Sequence, residues 1–306
     1  MNSDKNAEMF DIDDDYLHEP DERLKWRESY YFNWVDIENK ISGFSTLGIV
    51  PNEKKREFVF ILFIDNKREV YYREPALEEY HKDKFDQMLS DKKMSYKVIE
   101  PLKEWKIQYT SRKYKFNINF KNRHPPYYFG KDSSASWHRH FESTGFINGS
   151  LTLRKGKKIK IKGFGQRDKS WGYRDWHEFE KWYAGHFHFK EWSSGFRKDY
   201  IKGKAEVSGY IWNGENNIPL KEVKIDVNYD DDSFNSPLTT EYTLIDMESN
   251  KYIIKAERIA DNSFIRFARD FEDGYTELFE QMVIMTNSET GEVGTGMSEE
   301  LRTKTQ

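Results

Sequence analysis

Between Ile147 and Gly163 the sequence alternates with a period of two on both sides of a tight turn, and this restricts the fold more than any other feature. Ile147, Gly149, Leu151 and Leu153 share one side of a strand, Lys155-Gly156 sits in the turn, and Ile159, Ile161 and Gly163 continue that side on the return. Such a set fits an antiparallel hairpin with one buried face. Comparable short runs recur along the chain. They include Tyr30 to Asp36, Gly43 to Val50, Glu57 to Asp65, Lys115 to Phe120, Trp182 to Phe189, Ala205 to Trp212, Val223 to Tyr229, Tyr252 to Arg258 and Glu277 to Met285. About fifteen short strands with frequent turns and little helix predict an all-β chain. That is too many for one small barrel, and two consecutive antiparallel β-barrel domains remove the exposed edges most economically.

The expected boundaries are a flexible acidic tail over 1–20, an N-terminal β domain over 21–180, a C-terminal β domain over 181–298 and a polar tail over 299–306. One helix is expected after Pro75, where Leu77, Tyr80, Phe85, Met88 and Leu89 have rough helical spacing. Only 37% of residues are hydrophobic while 16% are aromatic, so aromatic rings must carry much of the burial. Charged residues make up 33% with a net charge of −4, and the two signs are interleaved, which argues against a nucleic-acid footprint. The absence of cysteine excludes a disulfide framework, a thiol nucleophile and a zinc-thiolate site. The polar start, Met1-Asn2-Ser3-Asp4-Lys5, is not followed by an apolar stretch, and no run approaches the roughly 18 apolar residues of a spanning helix. The expectation is a cytoplasmic protein with no stable membrane insertion.

Chemistry concentrates in Gly163 to Trp176, GFGQRDKSWGYRDW. Two Arg-Asp steps, Arg167-Asp168 and Arg174-Asp175, lie beside Trp171, Tyr173 and Trp176. An arginine next to a carboxylate holds it ionised and oriented, whereas a carboxylate pressed against indole keeps a proton it can donate. The same pairs would serve as internal staples fixing a loop over a barrel mouth, and the residues alone leave both readings open. The histidine pairs His138/His140 and His186/His188 each place two imidazoles on one strand face, as a metal site would. Glu142 and Glu191 follow them too closely for a cupin-type ligand set, so no metal is expected. No nucleophile elbow, Walker loop or dinucleotide glycine pattern is present, and no cofactor is expected.

The stretch Gly163 to Trp176 resembles the Gly-x-Gly-x-Arg-Asp-x-Ser-Trp-Gly-x-Arg-Asp-Trp signature of the AttH-like proteins, which are related to hydroxyneurosporene synthase, the carotenoid hydratase. Tyr31-Phe32-Asn33-Trp34 with Gly43 and Leu47 to Asn52, Glu142 to Gly145 with Gly149, and Thr290-Gly291 with Gly294 and Glu299 agree with it. Lys169 departs from the pattern, since relatives often carry histidine there. The resemblance implies two lipocalin-like (calycin-like) barrels and a hydrophobic, isoprenoid-type small-molecule partner. Its implied chemistry is hydration, cyclisation or isomerisation of an alkene by acid–base catalysis. Protonating an alkene makes a carbocation, which needs an acid, a dry site and electron-rich ring faces. The candidate catalytic residues are Asp168, Asp175, His186 and His188. Those expected to line the ligand are Trp171, Tyr173, Trp176, Trp182, Arg167, Arg174, His138 and His140. A non-catalytic carrier of an apolar ligand is the alternative.

Overall fold

The computed structural model describes residues 10–64, 66–133 and 137–305. Their backbone is almost wholly strand, in two units. The first unit holds β1 (Trp26–Asp36), β2 (Ile41–Val50), β3 (Lys55–Ile64), β4 (Lys67–Arg73), β5 (Met94–Glu100), β6 (Glu104–Thr110), β7 (Tyr114–Asn122), β8 (Tyr127–Ser133), β9 (Trp137–Leu153) and β10 (Lys158–Tyr173). They pair antiparallel in the order β4-β3-β2-β1-β10-β9-β7-β6-β5, with β8 added on β9, and form a half-barrel. The second unit holds β11 (Lys181–His188), β12 (Ser193–Ile201), β13 (Lys204–Trp212), β14 (Asn217–Tyr229), β15 (Pro237–Asp246), β16 (Lys251–Arg258), β17 (Phe264–Phe271), β18 (Gly274–Asn287) and β19 (Val293–Thr305). A pairing of β16 with β18 closes eight of these strands into a barrel, leaving β17 on its outside edge. The architecture is the two-part lipocalin-like all-β fold.

The alternating hairpin is β9 and β10, the longest strand pair of the first unit, joined at Lys155-Gly156 with Gly156 at φ +84°. Its buried side feeds a core rich in rings. Phe32 and Tyr30 pack on Trp105, Trp34 on Phe116, and Phe60 stacks on Tyr109 at 4.1 Å. In the second unit Phe196 meets Phe187 and Tyr242 edge to face in the barrel centre, with Ile211, Val223, Leu244 and Met285 around them.

Several boundaries differ from the sequence expectations. Most of the motif Gly163 to Trp176 is strand, since β10 runs to Tyr173, and the chain divides into its two units at Arg174/Asp175, with Phe63–Arg68 grouped in the second unit. Phe179 explains why the division precedes 180, because its ring packs on Trp182 at 4.9 Å and so belongs to the second unit. The expected helix after Pro75 shrinks to α1 (Phe85–Met88). Residues 75–77 instead extend along the start of β3, where Arg56 N–H donates to Pro75 O and Leu77 N–H to Lys54 O, and Leu77 is buried. The expected polar tail over 299–306 is the end of β19, with Leu301 fully buried in that strand, and residue 306 lies outside the described part.

The acidic segment also differs from a flexible tail. Residues 1–9 lie outside the described part, but Asp11 opens a 3₁₀ turn (Ile12–Asp15) through a capping box, and Asp14, Asp15 and Leu17 are buried. Asp15 supplies the reason: it pairs with the buried Arg167, and its Oδ2 accepts from Arg167 Nη1 at 3.3 Å, Leu102 N–H at 2.6 Å and Trp105 Nε1–H at 3.0 Å. Asp14 pairs with Arg139 at 2.9 Å. Two residues beyond Tyr16, His18 stacks on Trp171 at 3.6 Å and hydrogen-bonds Glu28, which is the contact partner of the buried Lys169. Burial, then the Lys169 ammonium, hold His18 down at about 2, so it stays neutral and its contact with Glu28 is a hydrogen bond rather than an ion pair.

Candidate active site

A strand repeats every two residues, so neighbours in β10 look to opposite faces. The register sets Tyr30 against Lys169, Phe32 against Arg167 and Trp34 against Gly165, which puts Arg167, Lys169 and Trp171 on the core face under the acidic strap. Asp168 and Ser170 therefore lie on the other face. The expectation that Arg167 sets the ionisation of Asp168 gives way to this geometry: Arg167 belongs to Asp15. Trp171, expected to line a ligand, is covered by His18 and joins a small cluster with Trp26 and Phe141.

On the Asp168 face the hairpin register brings three titratable side chains together. Glu142 is directly opposite Asp168, and His140 is opposite Ser170. His140 Nε2 lies 2.8 Å from Asp168 Oδ2 and 3.2 Å from Glu142 Oε1. Phe129 and Trp137 flank the imidazole at 4.7 and 4.6 Å. Burial alone would press the His140 pKa down, but the charge and hydrogen bond of Asp168, followed by those of Glu142, outweigh it and hold it up at about 9. At neutral pH the ring is an imidazolium whose Nε2–H is held by the two carboxylates. Its buried Nδ1 has no hydrogen-bond partner among the described residues.

Access is unequal within the trio. The side chains of His140 and Glu142 are 2% and 4% exposed, whereas that of Asp168 is 22% exposed. Asp168 is thus the most exposed member of the trio. Around it the face is polar and buried. Gln166 pairs with Asn33, Arg174 Nη2 donates to Ser170 Oγ at 2.8 Å, and His124 bonds Thr144 through Nε2 at 2.7 Å. Burial pulls His124 to about 4, so it remains neutral.

The remaining predicted residues fall elsewhere. His138 is exposed two residues before His140. Tyr173 lies under the Arg23 guanidinium at 5.0 Å. Asp175 begins the second unit, where its carboxylate caps the 3₁₀ turn Trp176–Glu178 by accepting from His177 N–H. Trp176 meets Trp182 at 5.0 Å, and the Arg197 guanidinium sits 4.3 Å from the Trp182 ring centre. His186 and His188 are buried in β11 on the face opposite Tyr183 and Phe187, so they do not point into the barrel centre. Glu142 is not among the expected site residues; its signal is the register counted outward from the Lys155-Gly156 turn, which sets it against Asp168.

His140, Glu142 and Asp168 each offer a ligand atom within 4.8 Å of the others, a donor set that suits a hard or borderline divalent ion. Such an ion would have to displace the proton that both carboxylates hold on His140. The raised pKa has a further consequence. A group whose folded pKa lies above its unfolded value, about 6.5 for histidine, stabilises the fold fully below that value. That contribution fades as pH rises through about 9. Melting temperature is expected to decline over this window, and a His140→Gln chain to show a flatter profile; equal profiles would show that His140 is not held as an imidazolium.

Gly172 keeps β10 against β9 at this site. Its φ is +123°, and a Cβ there would lie 2.3 Å from His138 N. Gly172→Ala is expected to cost about 1–3 kcal/mol in thermal or denaturant unfolding, since both dihedral and backbone contact resist it.

An open half-barrel followed by a closed eight-stranded barrel, with a His–Glu–Asp trio on the long hairpin, defines a two-part lipocalin-like protein. Residues 11–304 match the family described as Domain of unknown function (DUF7064), and the chain belongs to that family. The structure described as AttH (NE1406) from Nitrosomonas europaea is similar over 94% of this chain and 97% of its own, with 10% identity and a TM-score of 0.66. Kievitone hydratase from Nectria haematococca is similar over 90% of this chain and 89% of its own, with 14% identity and a TM-score of 0.60. These likenesses bear out the AttH-like fold expected from the motif. No curated protein matches the sequence.

Proposed function

We propose that the chain is a hydratase-type enzyme that adds water across an alkene of an apolar, isoprenoid-like small molecule, with Asp168 as the proton donor. The observation that carries this reading is the unequal exposure of a hydrogen-bonded trio: a reachable Asp168 backed by a buried imidazolium and a second buried carboxylate. With His140 charged and both carboxylates ionised, the trio has one excess negative charge. The proton to transfer is the one His140 shares with Asp168 through Nε2; passed to Asp168 and on to the substrate, it leaves a neutral imidazole beside the two carboxylates.

In the reaction the alkene π pair takes the Asp168 proton, forming a C–H bond and a carbocation at the other carbon. Water adds to that carbon and forms a C–O bond, and its surplus proton returns to Asp168, so the product is the alcohol and the enzyme is regenerated. Phe129 and Trp137 place ring faces beside the trio, an environment that tolerates positive charge. The likeness of the fold to kievitone hydratase is in keeping with this class of reaction. Incubation with prenyl-type alkenes in ¹⁸O-water tests the reading: label is expected in the alcohol product. Recovery of unchanged ligand bound to the protein would favour the carrier instead, and dependence on an added divalent ion would favour the metal-bound form of the trio.

A further inference from the structure

Asparagine followed by glycine occurs twice in the chain, at Asn148-Gly149 and at Asn213-Gly214, and the backbone treats the two steps in opposite ways. Such a step is chemically distinctive. Glycine has no side chain to shield its own nitrogen, so that nitrogen can reach the side-chain carbonyl carbon of the asparagine wherever the backbone is free to bend.

Asn148-Gly149 is locked inside β9. Asn148 faces Asn119 and Lys162, and Gly149 faces Ile118 and Ile161, so strands on both sides hold this backbone extended. A Cβ on Gly149 would lie 2.0 Å from Asn117 O, which leaves no slack around it. Closing a ring between Gly149 N and Asn148 Cγ would first take the step out of its sheet.

Asn213-Gly214 lies in the turn between β13 and β14, where residues 213–216 are exposed. Gly214 N–H donates no hydrogen bond among the described residues, and a Cβ on Gly214 would meet only Glu191 O, at 3.5 Å. Asn213 Oδ1 accepts from Glu215 N–H at 3.0 Å and from Asn216 N–H at 2.8 Å. Both donors lie beyond Gly214, so the side chain folds back across the Asn213-Gly214 peptide. The same two N–H groups meet the oxygen on which negative charge develops when Cγ is attacked.

We propose that Asn213 is a site of spontaneous deamidation and that the sheet protects Asn148 from the same reaction. Gly214 N gives its proton to solvent and bonds to Asn213 Cγ. The Cγ–Nδ2 bond breaks, and the amide nitrogen takes a proton from solvent and leaves as ammonia. Water then opens the five-membered imide at either carbonyl, which leaves aspartate or isoaspartate. Each event adds one negative charge to a chain whose net charge is −4. None of this uses the trio on β9 and β10.

Incubating the full chain in mildly alkaline ¹⁸O-water and mapping its peptides by mass spectrometry tests the proposal. Residue 213 is expected to convert at least about tenfold faster than residue 148, which reacts only through openings of its strand. Isoaspartate should accompany aspartate at 213, as the mark of the ring route. In the chain unfolded by guanidinium the two sites should converge, and an Asn213→Ser chain, which keeps an acceptor in the turn, should lose the fast acidic species while melting as before. Equal rates in the folded chain, aspartate without isoaspartate, a contrast that persists after unfolding, or a fast acidic species that survives Asn213→Ser would each overturn the proposal.

Discussion

Asp168→Asn is expected to lower turnover of the alkene by about 10²–10⁴-fold, the usual worth of a positioned acid, while the chain still folds. The substitution keeps the shape of the side chain and removes its charge. It should also bring the His140 titration down from about 9, since Asp168 is the chief group opposing the effect of burial there. The two readouts separate two roles. If turnover falls and the histidine titration does not, Asp168 acts on the substrate without setting its neighbour. If the titration falls and turnover persists, Asp168 is a structural partner of His140 and the donor lies elsewhere.

The largest stability effect is expected from Asp15→Ala. That change leaves the Arg167 guanidinium buried without its carboxylate and takes the acceptor from Trp105 Nε1–H and from Leu102 N–H. Breaking a buried pair from one side costs roughly 3–5 kcal/mol, because the surviving charge is not solvated. A shift of the denaturant midpoint measures it. The exposed pair Lys103–Glu100 supplies the contrast: its side chains are 65% and 50% exposed, and Lys103→Ala should change stability by less than about 1 kcal/mol. Equal losses from both changes would mean that the strap contributes nothing beyond surface charge.

The legible part of the fold was its periodicity. Alternation over Ile147 to Gly163 gave the hairpin, and the ring-rich runs gave the two β units, because an antiparallel sheet with one buried face writes its pleat into the sequence. The hidden part was what crosses large sequence distances. Nothing in Asp11 to Asp15 signals that Asp15 meets Arg167, since an acidic run reads as a solvated tail unless its cationic partners are known. Arg167 and Asp168 looked like a pair because they are adjacent, yet the period that revealed the hairpin sends them to opposite faces. The helix expected after Pro75 failed for a related reason. Backbone pairing of residues 75–77 with the start of β3 outweighed the rough helical spacing of Leu77, Tyr80 and Phe85.

The strap also imposes an order on synthesis. Asp15 and Arg167 are 152 residues apart, so Asp15 leaves the ribosome on the order of ten seconds before the strand that receives it. During that interval β1 lacks its β10 partner, and the rings of Tyr30, Phe32 and Trp34 have half a surface to pack on. The acidic strap is therefore made well before it can dock, and the nascent chain carries it beside an unfinished sheet until β10 arrives.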